Sequence, residues 1–153
     1  MNGPLHGIKV IELARILAGP WAGQTLADLG ADVIKVEAPE GDDTRRWGPP
    51  FIDRDGEKSA AYFHATNRGK RGITLDVRKA QGRDLLLQML PSFDVLVENF
   101  RTGTMDRWGL DAATLFAANP RLVILRLTGF GQTGPERLRP GFARIFEAKS
   151  GFT

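Results

Sequence analysis

Four cationic side chains lie close together in the middle of this chain of 153 residues. Arg68, Lys70 and Arg71 precede an apolar segment, and Arg78 follows it. Guanidinium and ammonium groups form charge-assisted hydrogen bonds with phosphate oxygens, so this cluster could bind a phosphorylated ligand. Charged runs are also common on solvated protein surfaces. Charge alone therefore favours a solvated basic face, and a phosphate cradle needs further support.

An acidic residue, Glu37, ends a second apolar segment and could bind a ribose hydroxyl in a dinucleotide site. Such a site also needs the pattern GxGxxG after the preceding strand, because the backbone must approach the pyrophosphate closely. The corresponding turn here, ARILAGP at residues 14–20, has one glycine followed by a proline. A nicotinamide-dependent enzyme is therefore disfavoured, and we expect Glu37 to be a surface carboxylate at a strand end.

Other kinds of catalysis find no support in the residue types. His6 and His64 stand alone, without further ligands at metal-binding spacing, so no metal site is predicted. The chain has no cysteine, which excludes thiol chemistry and disulfides, and its serines are not in nucleophile-elbow sequences. The glycine-rich segment at 129–135 lacks the Lys-Ser/Thr pair of a triphosphate-binding loop.

The composition is that of an ordinary globular protein, with 42% hydrophobic and 25% charged residues. Its 21 basic and 18 acidic residues are interspersed, which is not a nucleic-acid-binding pattern. No apolar run approaches the ~18 residues of a membrane helix, and the first residues do not have the pattern of a signal peptide. We expect a cytoplasmic protein without nucleic-acid or membrane partners.

Apolar segments that alternate with helical patterns predict the elements that must position these residues. Strands are expected at residues 8–13, 32–37, 73–77, 94–98 and 122–127. Helices are expected at 20–29, 60–66, 79–90, 104–108, 112–118 and 141–149. Residues 38–58 are expected to be loop, because proline and glycine recur through them. The predicted fold class is α/β: a Rossmann-like, doubly wound, mostly parallel sheet with helices on both faces.

Ligands of such sheets bind beyond the carboxyl ends of the strands, near the point where the strand order switches. Four segments are expected at these ends: residues 15–18, 37–38, 99–101 and 128–129. An ordinary connecting loop is an equally good interpretation of any one of them taken alone.

Four sequence blocks carry a resemblance that goes further. They are LAGP at 17–20 with LADLGADVIKVE at 26–37, NRGKRGITLD at 67–76, VENFRTG at 97–103, and TGFGQTGP at 128–135. In this order, from residue 4 to about residue 151, the chain resembles the family III CoA-transferases of the CaiB/BaiF type. The resemblance implies an acyl-CoA:carboxylate CoA-transferase that uses coenzyme A or acyl-CoA as a substrate, with no tightly bound cofactor.

The resemblance also implies which residues contact CoA, and it reverses the preference for a merely solvated basic face. Relatives often have a basic residue where this chain has Ala38, so we expect that contact to be lost or supplied by a neighbour. Phe100 is expected in the adenine region. The implied CoA-binding residues are Arg15, Ile16, Leu17, Ala18, Leu75, Arg78, Asn99, Phe100 and Arg107.

Family III transferases are understood to use an aspartate nucleophile. In the family it follows the segment matched here by Ser150 and Gly151, so the resemblance implies no catalytic residue in this chain. It implies instead that residues 1–153 form a Rossmann-like CoA-binding N-terminal domain, without the second domain and C-terminal return, and inactive in isolation. The relatives are intertwined dimers, so we expect a homodimer with an acyl-CoA and a carboxylic acid acceptor as partners.

Two alternatives stay open. The α-methylacyl-CoA racemases of the same superfamily use a histidine near the position of Phe142. Phenylalanine cannot transfer a proton, so this chain favours the transferase. Ala143, where relatives frequently have an aspartate, leaves a polar contact open. The second alternative is a non-catalytic CoA-binding or interaction module.

Overall fold

The strand-forming segments combine into one central sheet in the computed structural model, which describes residues 3–152. In chain order the strands are β1 (Lys9–Glu12), β2 (Asp32–Glu37), β3 (Phe51–Arg54), β4 (Glu57–Ala60), β5 (Arg71–Thr74), β6 (Val95–Glu98) and β7 (Val123–Arg126). The order in the central sheet is β5-β2-β1-β6-β7, and all neighbours in it are parallel. The chain order reverses between β1 and β6, so the topological switch point lies between these two strands.

Helices cover both faces of this sheet, as the sequence predicted. They are α1 (Ala18–Asp28), α2 (Ala61–Ala65), α3 (Ala80–Met89), α4 (Thr104–Arg107), α5 (Ala112–Ala118) and α6 (Ala143–Ser150). Within residues 3–152, none of them has both the length and the apolar character that crossing a membrane requires.

The two faces have separate hydrophobic cores, because successive strand residues point to opposite sides. Val10 and Val33 belong to the core that packs with Leu26 of α1. Their neighbours in sequence face the other way: Ile11 belongs to a larger core with Leu86 of α3. Leu115 of α5 joins that larger core. The Rossmann-like, doubly wound α/β arrangement is therefore confirmed.

Residues 38–58 are not wholly loop, and that prediction is wrong. A short 3-10 helix spans Asp43–Arg46, and the strands β3 and β4 form an antiparallel hairpin. Two residues, Asp55 and Gly56, join the hairpin strands with φ angles of 56° and 85°. Asp-Gly is a preferred pair for such a turn, because both central residues adopt positive φ. The prolines of this segment, at positions 39, 49 and 50, all precede the hairpin.

Helix α1 approaches the sheet unusually closely at Gly23. A Cβ placed there would lie 1.7 Å from Oε2 of Glu12, which is fully buried on β1. The contact cannot be relieved cheaply, because Glu12 is held by Lys35 and Lys70. The absence of a side chain at Gly23 therefore lets the helix cover a buried ionic cluster.

The substitution Gly23→Ala should lower the free energy of unfolding by at least about 3 kcal/mol, because it displaces Glu12 from two buried partners. Gly72→Ala on β5 is the matched control, since a Cβ there meets no atom within 4 Å; we expect it to change stability by less than about 1 kcal/mol. Urea denaturation of both variants measures the difference. Equal effects would contradict the close approach.

Candidate active site

A large cleft lies at the carboxyl ends of the parallel strands. Its volume is about 890 Å³, within the range of small-molecule sites. Segments that follow all five strands of the central sheet line it, and α6 supplies a further wall through Ala143 and Phe146. The cleft therefore occupies the place where doubly wound sheets bind their ligands.

Eight of the nine residues predicted to contact CoA line this cleft. Arg107 is not among the lining residues; its Nη2 donates to Oγ1 of Thr104, which does line the cleft, at 3.0 Å. Ala38, Phe142 and Ala143, the three positions at which the chain differs from the residues that the resemblance leads one to expect, also line it. The eight are Arg15, Ile16, Leu17, Ala18, Leu75, Arg78, Asn99 and Phe100.

The side chain of Asn99, just after β6, holds the loop that follows β1. Its Oδ1 accepts from the backbone N–H of Arg15 at 2.8 Å, and its Nδ2 donates to the carbonyl of Arg15 at 2.7 Å. This paired contact joins the loops on the two sides of the switch point. The Arg15 guanidinium lies 5.7 Å from the centroid of the Phe100 ring, so cation–π attraction adds a second link.

The next residue, Ile16, has φ of 71°. This left-handed conformation is strained for a β-branched residue. Asp42 stabilises it, because its carboxylate accepts from the Ile16 N–H at 3.1 and 3.3 Å. The Asp42 side chain is 1% exposed and lies 3.2 Å from the ammonium of Lys35.

Lys35 belongs to a buried ionic cluster beneath α1, which we define as Glu12, Lys35, Asp42 and Lys70. Lys35 lies 3.2 Å from Glu12 and donates to the carbonyl of Ala14 at 2.8 Å. Lys70 lies 2.7 Å from Glu12. Burial raises the pKa of Glu12, and the two lysines offset this only in part. Burial lowers the pKa of Lys70 to about 8.

All three acidic residues that line the cleft are already paired with cations. Glu37 accepts from Nε and Nη2 of Arg45 at 2.8 and 2.6 Å. Its side chain is 11% exposed, so the expectation of a surface carboxylate is wrong. Burial acts to raise the pKa of Glu37, but Arg45 and the Asp42 N–H outweigh burial and lower it. A carboxylate held in this way is not available for a ribose hydroxyl.

The other two acids are held in the same manner. Burial acts to raise the pKa of Asp42, and Lys35, the Thr44 N–H and hydroxyl, and the Ile16 N–H together lower it. Hydrogen bonds from Arg78 lower the pKa of Asp76, with Nε of Arg78 at 2.6 Å from Oδ1 of Asp76. Each acid therefore stays ionised and committed to a protein partner.

The predicted phosphate cradle is only partly assembled. Arg78 lines the cleft, but Arg68 and Lys70 precede β5 and Arg71 is its first residue. These three cations lie at the opposite end of the strand and do not line the cleft. Arg68 pairs with Asp28 at 2.7 Å, Arg71 with Asp32 at 2.5 Å, and Lys70 is buried. The prediction that these four cations together form a phosphate cradle is therefore wrong. The cleft is lined instead by the buried Lys35 and by five arginines: Arg15, Arg78, Arg101, Arg137 and Arg139.

Sequence reasoning missed Asp42 and the buried cluster. A signal was available for Glu12 and Lys35, since each is a charged residue with an apolar residue on either side of it in a predicted strand. Strands buried on both faces rarely hold a charge without a partner. No comparable signal existed for Asp42, which lies in a loop. Within residues 3–152, no three His, Cys, Asp or Glu side chains are grouped so that they could hold a metal ion.

Comparison with known proteins identifies the family. The sequence pattern of CoA-transferase family III matches residues 5–153. The chain belongs to this family. Among curated family III relatives, it is 56% identical over 152 residues to the succinate–glutarate CoA-transferase of Agrobacterium fabrum. It is 40% identical over 149 residues to the human succinyl-CoA:glutarate CoA-transferase. These matches cover 97% of the chain but 38% and 33% of the relatives.

The fold of the family III chain agrees with that of solved members. A CaiB/BaiF family protein from Brucella suis superposes with a TM-score of 0.94 at 60% identity. The match covers 99% of this chain and 40% of that protein. The chain thus spans about two fifths of the length of the relatives it matches, and the cleft described here is built from that portion alone.

Because the pKa of Lys70 is lowered, we expect the free energy of unfolding to change with pH in the alkaline range. Between about pH 8 and 10.5 an unfolded lysine keeps its proton while the folded one releases it, so the free energy of unfolding from this group rises with pH. We expect Lys70→Met to remove that rise. Urea titrations across this range measure it, with Lys58→Met, an exposed hairpin lysine, as control. An unchanged slope in Lys70→Met would refute the assignment.

Proposed function

We propose that this protein transfers CoA between an acyl-CoA and a carboxylic acid, and that residues 1–153 form its CoA-binding domain. The observation that carries the proposal is the charge of the cleft. Six cationic and three acidic side chains line it, in a chain that belongs to CoA-transferase family III. CoA carries a 3′-phosphate and a pyrophosphate, so an excess of arginines suits it.

Arg78 is the best placed of the proposed phosphate ligands. Its Nε and Nη2 are bound by Asp76 and Glu40, which fixes the guanidinium plane at the edge of the cleft. These contacts leave Nη1 for an outside acceptor. The N-terminus of α1 adds to the positive potential, because Leu17 and Ala18 line the cleft and no side chain caps the helix.

Short dicarboxylic acids and their CoA thioesters are the proposed substrates. The Agrobacterium and human relatives are named for succinate and glutarate, and they are 56% and 40% identical to this chain. All acids lining the cleft are paired with cations, which supports the expectation that the nucleophilic carboxylate is supplied by another segment. The homodimer and the cytoplasmic location stay predictions.

A transferase is favoured over a racemase by the lining of the cleft. Proton transfer at an acyl α-carbon needs an acid–base side chain within reach of the substrate. Phe142 lines the cleft, whereas neither His6 nor His64 does. Within residues 3–152, the position that would carry the racemase histidine therefore has no proton to transfer.

The reaction is tested with the complete gene product that contains residues 1–153. Incubated with succinyl-CoA and glutarate, it should form glutaryl-CoA, detected by chromatography. A racemase would instead exchange the α-proton of a 2-methylacyl-CoA for deuterium without any acceptor acid. CoA binding without either reaction would support the non-catalytic module. Failure of exchange across a panel of carboxylic acids would overturn the transferase.

The assignment of Arg78 is tested by its replacement. Arg78→Ala should weaken CoA binding roughly tenfold, because it removes a charge-assisted contact with a phosphate oxygen at the edge of the cleft. Arg71→Ala is the matched control: it also breaks an exposed Arg–Asp pair, with Asp32, but lies outside the cleft. Calorimetric titration with CoA compares the two, and Arg107→Ala tests the remaining predicted contact. Equal affinity in Arg78→Ala and Arg71→Ala would reject Arg78 as a phosphate ligand.

A further inference from the structure

Three consecutive residues of the loop after β1 have their backbone groups fixed by side chains from three other segments. Lys35 of β2 binds the Ala14 carbonyl at 2.8 Å. Asn99, after β6, binds both backbone groups of Arg15. Asp42, in the loop after β2, accepts from the Ile16 N–H. The loop leads directly into Leu17 and Ala18, which line the cleft.

Of the three contacts, the one made by Asp42 acts against a conformational cost. Ile16 has φ of 71°, a region in which the Cβ of an L-residue is crowded and β-branching adds to the crowding. A chain without the Asp42 carboxylate would regain freedom by returning Ile16 to negative φ. That rotation would redirect Leu17 and the first turn of α1, because both follow immediately in the chain.

Asp42 is itself built into the fold and does not move freely. Its Oδ1 accepts from the N–H of Thr44 at 3.0 Å and from the Thr44 hydroxyl at 2.8 Å. Its backbone N–H donates to Glu37 at 2.9 Å, and Lys35 lies at 3.2 Å. The carboxylate is thus fixed by β2 and by the short 3-10 helix, and it transmits their position to Ile16.

We propose that Asp42 is a positioning residue for acyl-CoA binding, which holds Ile16 in the left-handed conformation and so sets the N-terminus of α1 at the cleft. This inference rests on the proposed function, since the ligand of the cleft is taken to be CoA. It assigns Asp42 no contact with the reacting atoms. Its effect on binding is exerted through the backbone of Ile16.

The test is a double-mutant cycle in the full chain, with CoA binding measured by calorimetry. Asp42→Ala should weaken CoA by roughly tenfold or more when residue 16 is isoleucine. In a chain carrying Ile16→Gly, the same Asp42→Ala change should weaken CoA by less than about threefold, because glycine adopts positive φ without strain. Equal factors in the two backgrounds would overturn the proposal and show that Asp42 acts by its charge alone.

Stability controls separate positioning from general damage. Asp42→Ala loses the Lys35 and Thr44 contacts in both backgrounds, so the urea midpoint should fall in each. Thr44→Val removes the hydroxyl bond to Asp42 but leaves the Ile16 contact, and should lower the midpoint while CoA affinity stays within about threefold.

If Asp42→Ala does not fold, Asp42→Asn replaces it: the amide oxygen can still accept from Ile16, so binding should be largely kept. Lys35→Met removes the ion pair with Asp42 but leaves the Ile16 contact. If Asp42→Asn lost as much CoA affinity as Lys35→Met, the ion pair would explain the effect, and the proposal would be contradicted.

Amide hydrogen exchange distinguishes this proposal from the proposed function. The Ile16 N–H should exchange slowly in the wild-type chain and faster in Asp42→Ala, whether or not CoA is present. A wild-type chain that protects Ile16 but binds no CoA would overturn the proposed function and the ligand named here. If the chain binds CoA but the Ile16 N–H exchanges at the same rate in the wild-type protein and in Asp42→Ala, only the positioning role is overturned.

Discussion

Glu12 and Lys35 occupy paired positions on the adjacent strands β1 and β2, so a carboxylate and an ammonium meet on the sheet face that α1 covers. Both side chains are almost fully buried, and removing such charges from water costs several kcal/mol for each ion. That cost is tolerable only when every partner is in place. Lys70 supplies a second cation to Glu12, and Asp42 supplies a second carboxylate to Lys35. Two cations and two anions therefore balance beneath the helix.

A buried cluster of this kind gives specificity more readily than stability. Its members come from two strands, from the loop after β2 and from the segment before β5, so the charges balance only when all four segments are in register. Lys70 also donates to the Pro20 carbonyl at 2.7 Å, which ties the first turn of α1 to the same cluster. Lys35 and Asp42 extend it to Ala14 and Ile16. The loop after β1, which lines the cleft, is thus held in place by the partners that the buried charges require.

The sequence was sufficient for the sheet but not for the details of the site. Apolar runs predicted every strand of the central sheet within a few residues, because burial on both faces leaves a strong pattern. The hairpin was missed although Asp55-Gly56 marks it, since the prolines of the preceding segment suggested loop throughout. The prediction of the phosphate cradle failed for a different reason: Arg68, Lys70 and Arg71 lie at the start of β5, whereas Arg78 follows its other end. Residues at the two ends of a strand can be near in sequence and still lie apart in the structure.

In the cleft, the arginines suit ligand binding, whereas the paired carboxylates do not suit nucleophilic attack. A carboxylate that accepts several hydrogen bonds has its electron pairs engaged and its pKa lowered, as found for Glu37, Asp42 and Asp76. Such a group is a poor nucleophile toward a thioester, because attack would require it to give up those bonds. The arginines at the rim have the opposite character: a guanidinium with some donors fixed by acids keeps others directed outward in a defined plane. Under the function proposed above, this portion of the chain would therefore bind and orient the anionic thioester, and the attacking carboxylate would come from another segment.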